Sequence, residues 1–170
     1  MNEAAKGVAA MVAACTVWGL SSIYYKLLAH VPPIEVLAHR TLWSCVFFAC
    51  VLLIQGRISL LRQALGARRS LLVIIVAAIA ISMNWFLFIT SIQIGKAMEA
   101  SLGYYIFPLV SVALGAIAYR ERLARAQLLA VGLAAVAVIT LTLGLGVAPW
   151  ISMGLALSFG LYGLAKKGLS

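Results

Sequence analysis

Aspartate is missing from this sequence altogether, and acidic residues number four in 170, against thirteen lysines and arginines. No HExxH, GxSxG or phosphate-cradling GxxxxGKS/T stretch occurs either. Each of those chemistries needs its residues at that spacing to hold zinc, expose a nucleophile or wrap a phosphate. A hydrolase or an ATP-driven pump therefore lacks support, the chain is not read as an enzyme, and no cofactor or metal is expected. Cysteine is scarce as well. Cys15, Cys45 and Cys50 all lie inside apolar runs, with no CxxC spacing. They read as small buried hydrophobes rather than as a metal site or a disulfide framework. A cleavable signal is also not evident. The apolar run after Lys6 continues to about Leu28, longer than a signal core, and carries Trp18, Tyr24 and Tyr25.

What the chain has in excess is apolar residues, at 65% of the total, with a mean hydropathy of +1.10. A soluble domain is nearer half apolar, so this is the composition of an integral membrane protein. Six continuous apolar segments stand out, at about 7–28, 34–55, 71–90, 97–119, 127–145 and 149–165. Each is long enough to span a bilayer as a helix. The runs do not alternate, as half-buried strands would, and lipid forbids an open sheet edge. The expected fold is all-α, with six transmembrane helices and the lipid bilayer as its surroundings.

The charges are unevenly placed. Lys6, Arg57, Arg62, Arg68, Arg69, Arg120, Arg122, Arg125, Lys166 and Lys167 fall on one side of a six-span arrangement. The opposite loops, near 29–33, 91–96 and 146–148, carry only Lys96. The positive-inside rule makes both termini cytoplasmic. It also accounts for the net charge of +9, so nucleic acid is not an expected partner. The 56–70 loop, "GRISLLRQALGARRS", is read as a short surface helix with Ile58, Leu61 and Leu65 toward lipid.

Two stretches resemble each other. "WGLSSIYYK" at 18–26 and "FGLYGLAKK" at 159–167 both run aromatic-Gly-Leu, then five residues, then lysine. Five helix crossings separate them, so the second copy is inverted in the membrane, the pattern of inverted repeats in secondary transporters. Residues 7–145 then form one five-helix repeat, and 147–167 the first helix of a second. The chain is expected to be part of a protein nearly twice as long.

Several polar groups fall where apolar ones are cheaper. Lys26, Glu35, His39, Arg40, Lys96 and Glu99 all belong at or just below the outer surface. Arg40 is about 8 Å into its helix at 1.5 Å rise per residue. Asn84 and Trp85 reach a similar depth. Such residues normally face a bundle interior or a wet cavity. Glu35 and His39 share a helix face, whereas Arg40 is rotated by about 140° from Glu35. Arg40 is therefore expected to reach across helices, in an ion pair or a shared polar network with Glu99; snorkelling to the interface is the alternative role for it. Acidic groups at helix N-termini also suit the dipole, which is an alternative role for Glu35 and Glu99. Pro108 interrupts the fourth helix and frees the carbonyl of Tyr104, as a kinked cavity-lining helix would. Trp18 lies nearer mid-helix and is a cavity candidate. Tyr24, Tyr25 and Trp43 read as an aromatic belt. Asn84 is either cavity wall or interhelical hydrogen-bond glue. Gly103, Ser111 and Gly115 suit close helix contact.

Taken together, "WGLSSIYYK", "VPPIEVLAHRTLWS", "NWFLFI", "EASLGYYIFPL", "ERLARAQLLAV" and "ISMGLALSFGLYGLAKK" closely resemble the RarD-like proteins of the EamA group in the drug/metabolite transporter superfamily. The resemblance implies a ten-helix bacterial inner-membrane protein of two inverted five-helix repeats, both ends cytoplasmic. The motif residues retained are Trp18, Lys26, Glu35, His39, Arg40, Asn84, Trp85, Glu99, Gly103, Tyr104 and Pro108. Ser22 and Phe107 depart from the family's usual proline and asparagine. The expected function is a secondary permease for a small organic solute, working by alternating access, with a proton or a counter-solute as the coupling species. A second half, or another copy, would complete it. Trp18, Lys26, His39, Arg40, Asn84, Trp85, Glu99, Tyr104 and Pro108 are the expected cavity or polar-network residues. A membrane scaffold is the main alternative, and an intramembrane enzyme a remote one.

Overall fold

A computed structural model describes residues 2–119, 123–146 and 150–167, and these are almost entirely helical. The helices are α1 (Glu3–Leu27), α2 (Pro33–Ile54), α3 (Ile58–Gly66), α4 (Arg68–Gln93), α5 (Ala97–Tyr119), α6 (Arg125–Leu145) and α7 (Trp150–Lys167). All six expected spans are helices, and several start earlier than their apolar runs. Polar residues serve those extra turns. The Asn2 side chain accepts a hydrogen bond from the Ala4 N–H at 3.4 Å, an N-terminal cap for α1. The Pro32–Pro33 pair opens α2, where a missing N–H costs nothing. Within the 56–70 segment Ile58–Gly66 form α3, with Leu61 and Leu65 exposed and Ile58 half-buried, while residues 68–70 already belong to α4. Arg120 and Arg122, and residues 147–148 of the expected outer loop, lie outside the described residues.

Successive long helices alternate in direction. The ends of α1 and α4 and the starts of α2, α5 and α7 meet at one end of the bundle. There Lys26 Nζ donates to the Gln93 carbonyl at 3.3 Å. Gln93 Nε2 in turn donates to the carbonyls of Leu28 and Val31, at 3.0 and 3.1 Å. Gly95 makes the tight α4–α5 turn at φ +79°, a conformation that other residues adopt only with strain. At the opposite end, Leu123 and Gln127 at the start of α6 share a cavity with Gly163 and Lys167 at the end of α7.

The core is small and centred on α7, which packs most extensively against α5 and then α4. Its Ile151, Ser152, Leu155, Ala156, Ser158 and Gly160 are all buried. Small residues make this approach possible. A Cβ on Gly103 of α5 would sit 2.9 Å from the Ser152 carbonyl oxygen, and one on Gly160 of α7 would sit 2.9 Å from Leu114 Cδ1. Gly115, expected to make a similar contact, has nothing within 4 Å of its Cβ position.

Among the described residues five helices are long and apolar enough to cross a membrane: α1, α2, most of α4, α5 and α6. The sixth expected span, α7, is not one of them. It is 18 residues long and ends in Lys166 and Lys167. Its serines and glycines suit a helix enclosed by protein better than one bathed in lipid. By contrast, α1 and α2 bury one residue each, Tyr25 and Val36, and present apolar side chains outward almost all round. Helices of that kind belong in an apolar solvent. The same arrangement corrects the expectation for cysteine. Cys15, Cys45 and Cys50 are exposed on α1 and α2 rather than buried, because α1 and α2 pack few of their side chains against the other described helices.

Candidate functional site

The expected polar and aromatic residues converge near the end of the bundle where α1 finishes and α2 begins. Trp85 on α4 is the centre. The guanidinium carbon of Arg40, reaching over from α2, lies 3.3 Å above the centroid of its ring. That is stacking distance, and tryptophan is the best aromatic partner for a cation. Trp18 and Tyr25 from α1 approach the same ring at centroid distances of 6.4 Å each, and Phe88 on α4 at 5.7 Å. Trp85 and Phe88 are three residues apart and share a helix face.

Arg40 does not pair with Glu99, contrary to expectation. Glu99 is buried in the first turn of α5, and its Oε1 lies 3.9 Å from Lys96 Nζ. Its backbone carbonyl accepts a 2.6 Å hydrogen bond from Ser152 Oγ on α7. The carboxylate thus sits at a helix N-terminus with a lysine neighbour, where the dipole favours it. Arg40 instead reaches the ring of Trp85 on α4.

Asn84 is adjacent to Trp85 in sequence, but about 100° away around the helix. It faces α7, where its Nδ2 donates to the Leu155 carbonyl at 3.0 Å and to Ser158 Oγ at 3.2 Å. Of its two expected roles, Asn84 fills that of interhelical glue, and it lines neither cleft described below. Lys26 clasps the end of α4, where its charge meets C-terminal carbonyls. Pro108 is exposed, and lies on neither cleft.

Two clefts flank α1. One, of about 630 Å³, lies between α1 and α2 and is walled by Tyr24, Tyr25, His39, Arg40, Trp43 and Ser44. The other, of about 380 Å³, opens between α1, α4 and α5, with Trp18, Ser22, Phe88, Ser101 and Tyr104 at its wall. Within this second cleft the Tyr104 ring lies 6.1 Å from Trp18 and 5.9 Å from Phe88. Phe159 of α7 meets the same tyrosine at 6.3 Å. The leading aromatics of the two similar stretches, Trp18 and Phe159, therefore both touch Tyr104.

Sequence reasoning assigned Tyr25 to the aromatic belt, whereas it is buried between Trp85 and Phe88. Tyr24 and Trp43 are exposed, as belt residues are. Phe88 and Phe159 were not singled out. The signal for Phe88 was its three-residue spacing from Trp85, and for Phe159 its place opposite Trp18 in the internal similarity.

An all-helical bundle with apolar outer faces and a charged, aromatic-lined interior cleft defines a multi-pass membrane protein. Residues 5–143 match the EamA-like transporter family, and the chain belongs to that family. It is 43% identical over 171 aligned residues to the uncharacterized transporter YojE of Bacillus subtilis, covering 99% of this chain and 57% of YojE. It is 44% identical to protein RarD of Streptomyces exfoliatus, covering 99% and 54% respectively. Protein RarD of Escherichia coli is 38% identical, with 99% and 57% covered. The chain thus spans a little over half the length of these relatives. No solved structure matches it.

Proposed function

We propose that the chain forms part of a secondary permease that moves a small organic solute by alternating access, and that the clefts flanking α1 are its solute pathway. The observation that carries this reading is Arg40. A guanidinium within an apolar span, stacked on Trp85 and beside a cleft of about 630 Å³, is costly to keep there and is a mark of function in membrane proteins. The contacts of Trp18 and Phe159 with one tyrosine support a relation between two repeats that share a central site. A second half, or another copy, closes the pathway on the open side of α1 and α2. A proton or a counter-solute drives the exchange.

Flux is the test. A panel of labelled organic solutes is presented to vesicles carrying the intact protein, with and without an imposed proton gradient. Arg40→Ala is expected to lower the rate of the transported solute about tenfold or more, a loss of over 1.4 kcal/mol of stabilisation. Glu99→Gln keeps most of the rate, because Glu99 does not reach Arg40. Equal rates in wild type and Arg40→Ala would remove the site assignment. A folded protein that moves no solute would favour a membrane scaffold instead.

The proposed location is the bacterial inner membrane, with both chain ends on the cytoplasmic side. With Cys15, Cys45 and Cys50 replaced by serine, a membrane-impermeant maleimide should label the Ala29→Cys variant in intact spheroplasts. The Ala67→Cys variant should label only after permeabilisation. The reverse pattern would invert the orientation.

A further inference from the structure

We infer that the cleft between α1 and α2 binds the carboxylate of a small organic acid, with Arg40 as its anchor and the aromatic wall as its seat. The inference rests on the permease reading only in treating that cleft as the solute site. Arg40 is partly buried, and its guanidinium lies over the face of Trp85. A guanidinium stacked at 3.3 Å spends its flat face on the ring and leaves its N–H donors pointing outward in its own plane. Among the described residues no carboxylate lies within ion-pair distance of it, and its donors make no hydrogen bond. No carboxylate stands among the described lining residues of the cleft. Glu99 neighbours Lys96, and Glu35 is exposed in the first turn of α2, one helical turn before His39.

The described cleft wall therefore holds a guanidinium and no carboxylate, and it carries other polar groups. Ser44 and His39 stand on the same wall as Arg40, with the Tyr24 and Tyr25 rings opposite. A planar carboxylate matches the fork of a guanidinium and forms charge-assisted bonds about twice as strong as neutral ones. An organic cation is repelled by Arg40, which already occupies the ring face that would attract one. A neutral amide of the same shape replaces water at the guanidinium without neutralising it. The apolar walls favour a ligand with one charged end and an unsubstituted body.

The test compares three probes of one shape on the purified intact protein in lipid nanodiscs: phenylacetate, phenylacetamide and phenylethylammonium. Binding is read by tryptophan fluorescence and by titration calorimetry. Phenylacetate is expected to bind about tenfold or more tightly than the amide, and phenylethylammonium not to bind. Arg40→Met should abolish the preference for the acid while keeping the thermal midpoint of the wild type, and Arg40→Lys should restore part of it. Equal affinity for acid and amide would overturn the inference, as would an acid preference that survives in Arg40→Met. Inorganic phosphate competing as well as phenylacetate would also overturn it. Because the readout is binding, a protein that prefers the acid but moves nothing across vesicles would sink the permease reading and leave this one standing.

Discussion

Replacing Gly103 with leucine is expected to unseat α7 and leave little folded protein. The glycine faces α7 so closely that a bare Cβ would come within 2.9 Å of Leu155 Cβ and the Ser152 carbonyl oxygen, and 3.2 Å from Ser152 Cα. Two of those three atoms are backbone, so no rotamer change relieves the clash. The helices must separate instead, and the separation strips the Ser152–Glu99 hydrogen bond and uncovers Leu155 and Ala156 at the centre of the core. Overpacking alone costs about 1–3 kcal/mol, occasionally more, and a lost polar link between membrane helices adds about 0.6 kcal/mol on average. At 1.4 kcal/mol per tenfold, the folding equilibrium falls by roughly 10- to 400-fold. The yield of monodisperse protein in mild detergent and its thermal midpoint measure this. Gly103→Ala should give an intermediate loss. Gly115→Leu, whose Cβ position is open, should give almost none. A Gly103→Leu protein with the wild-type midpoint would refute the close packing of α5 on α7.

Trp85→Leu is expected to leave the bundle folded and to disable the cleft. Trp85 is only partly buried, and leucine retains much of its apolar bulk. What disappears is the platform under Arg40, the edge contacts with Tyr25 and Phe88 and the tilted contact with Trp18. A cation–π contact is worth about 0.5–2 kcal/mol, and each aromatic pair about 0.5–1.5 kcal/mol beyond its area. Once released, the guanidinium is no longer held in one orientation, so solute affinity and flux should drop together by about tenfold. Trp85→Phe keeps a ring face and should recover part of both. Initial rates in vesicles, normalised to folded protein, decide the matter. Full activity in Trp85→Leu would mean that Arg40 works without its platform.

Much of this molecule was legible before any coordinates. Long uninterrupted apolar runs have one stable form in lipid, because every backbone N–H and C=O must be satisfied within the segment. Helix number and approximate limits followed from that. The azimuth of Arg40 followed from 100° per residue, which correctly turned it away from Glu35. The internal similarity sets Phe159 opposite Trp18, but only the packed structure shows that both contact Tyr104.

The site was legible only in part. Helical geometry states which way a side chain points from its own axis, but not which neighbour waits there. Arg40 was matched to Glu99 by charge, as the one acidic group left at that end of the chain. The packed helices put the ring of Trp85 beneath the guanidinium instead. Asn84 and Trp85, equal in predicted depth, divided their roles because one residue of rotation sends Asn84 to α7 and Trp85 to the guanidinium of Arg40.

The sequence by itself therefore determined an all-helical membrane protein, the positions of its spans, the asymmetry of its loop charges and its family. These are local properties, set by what each segment can satisfy within its own backbone and by the solvent around it. Only the tertiary structure decided that α7 is the enclosed helix, that Gly103 rather than Gly115 is the contact point, and that Arg40 rests on an aromatic face beside an open cleft. Those outcomes depend on which helices become neighbours, and the many small packing contacts that choose neighbours lie between residues far apart in the chain.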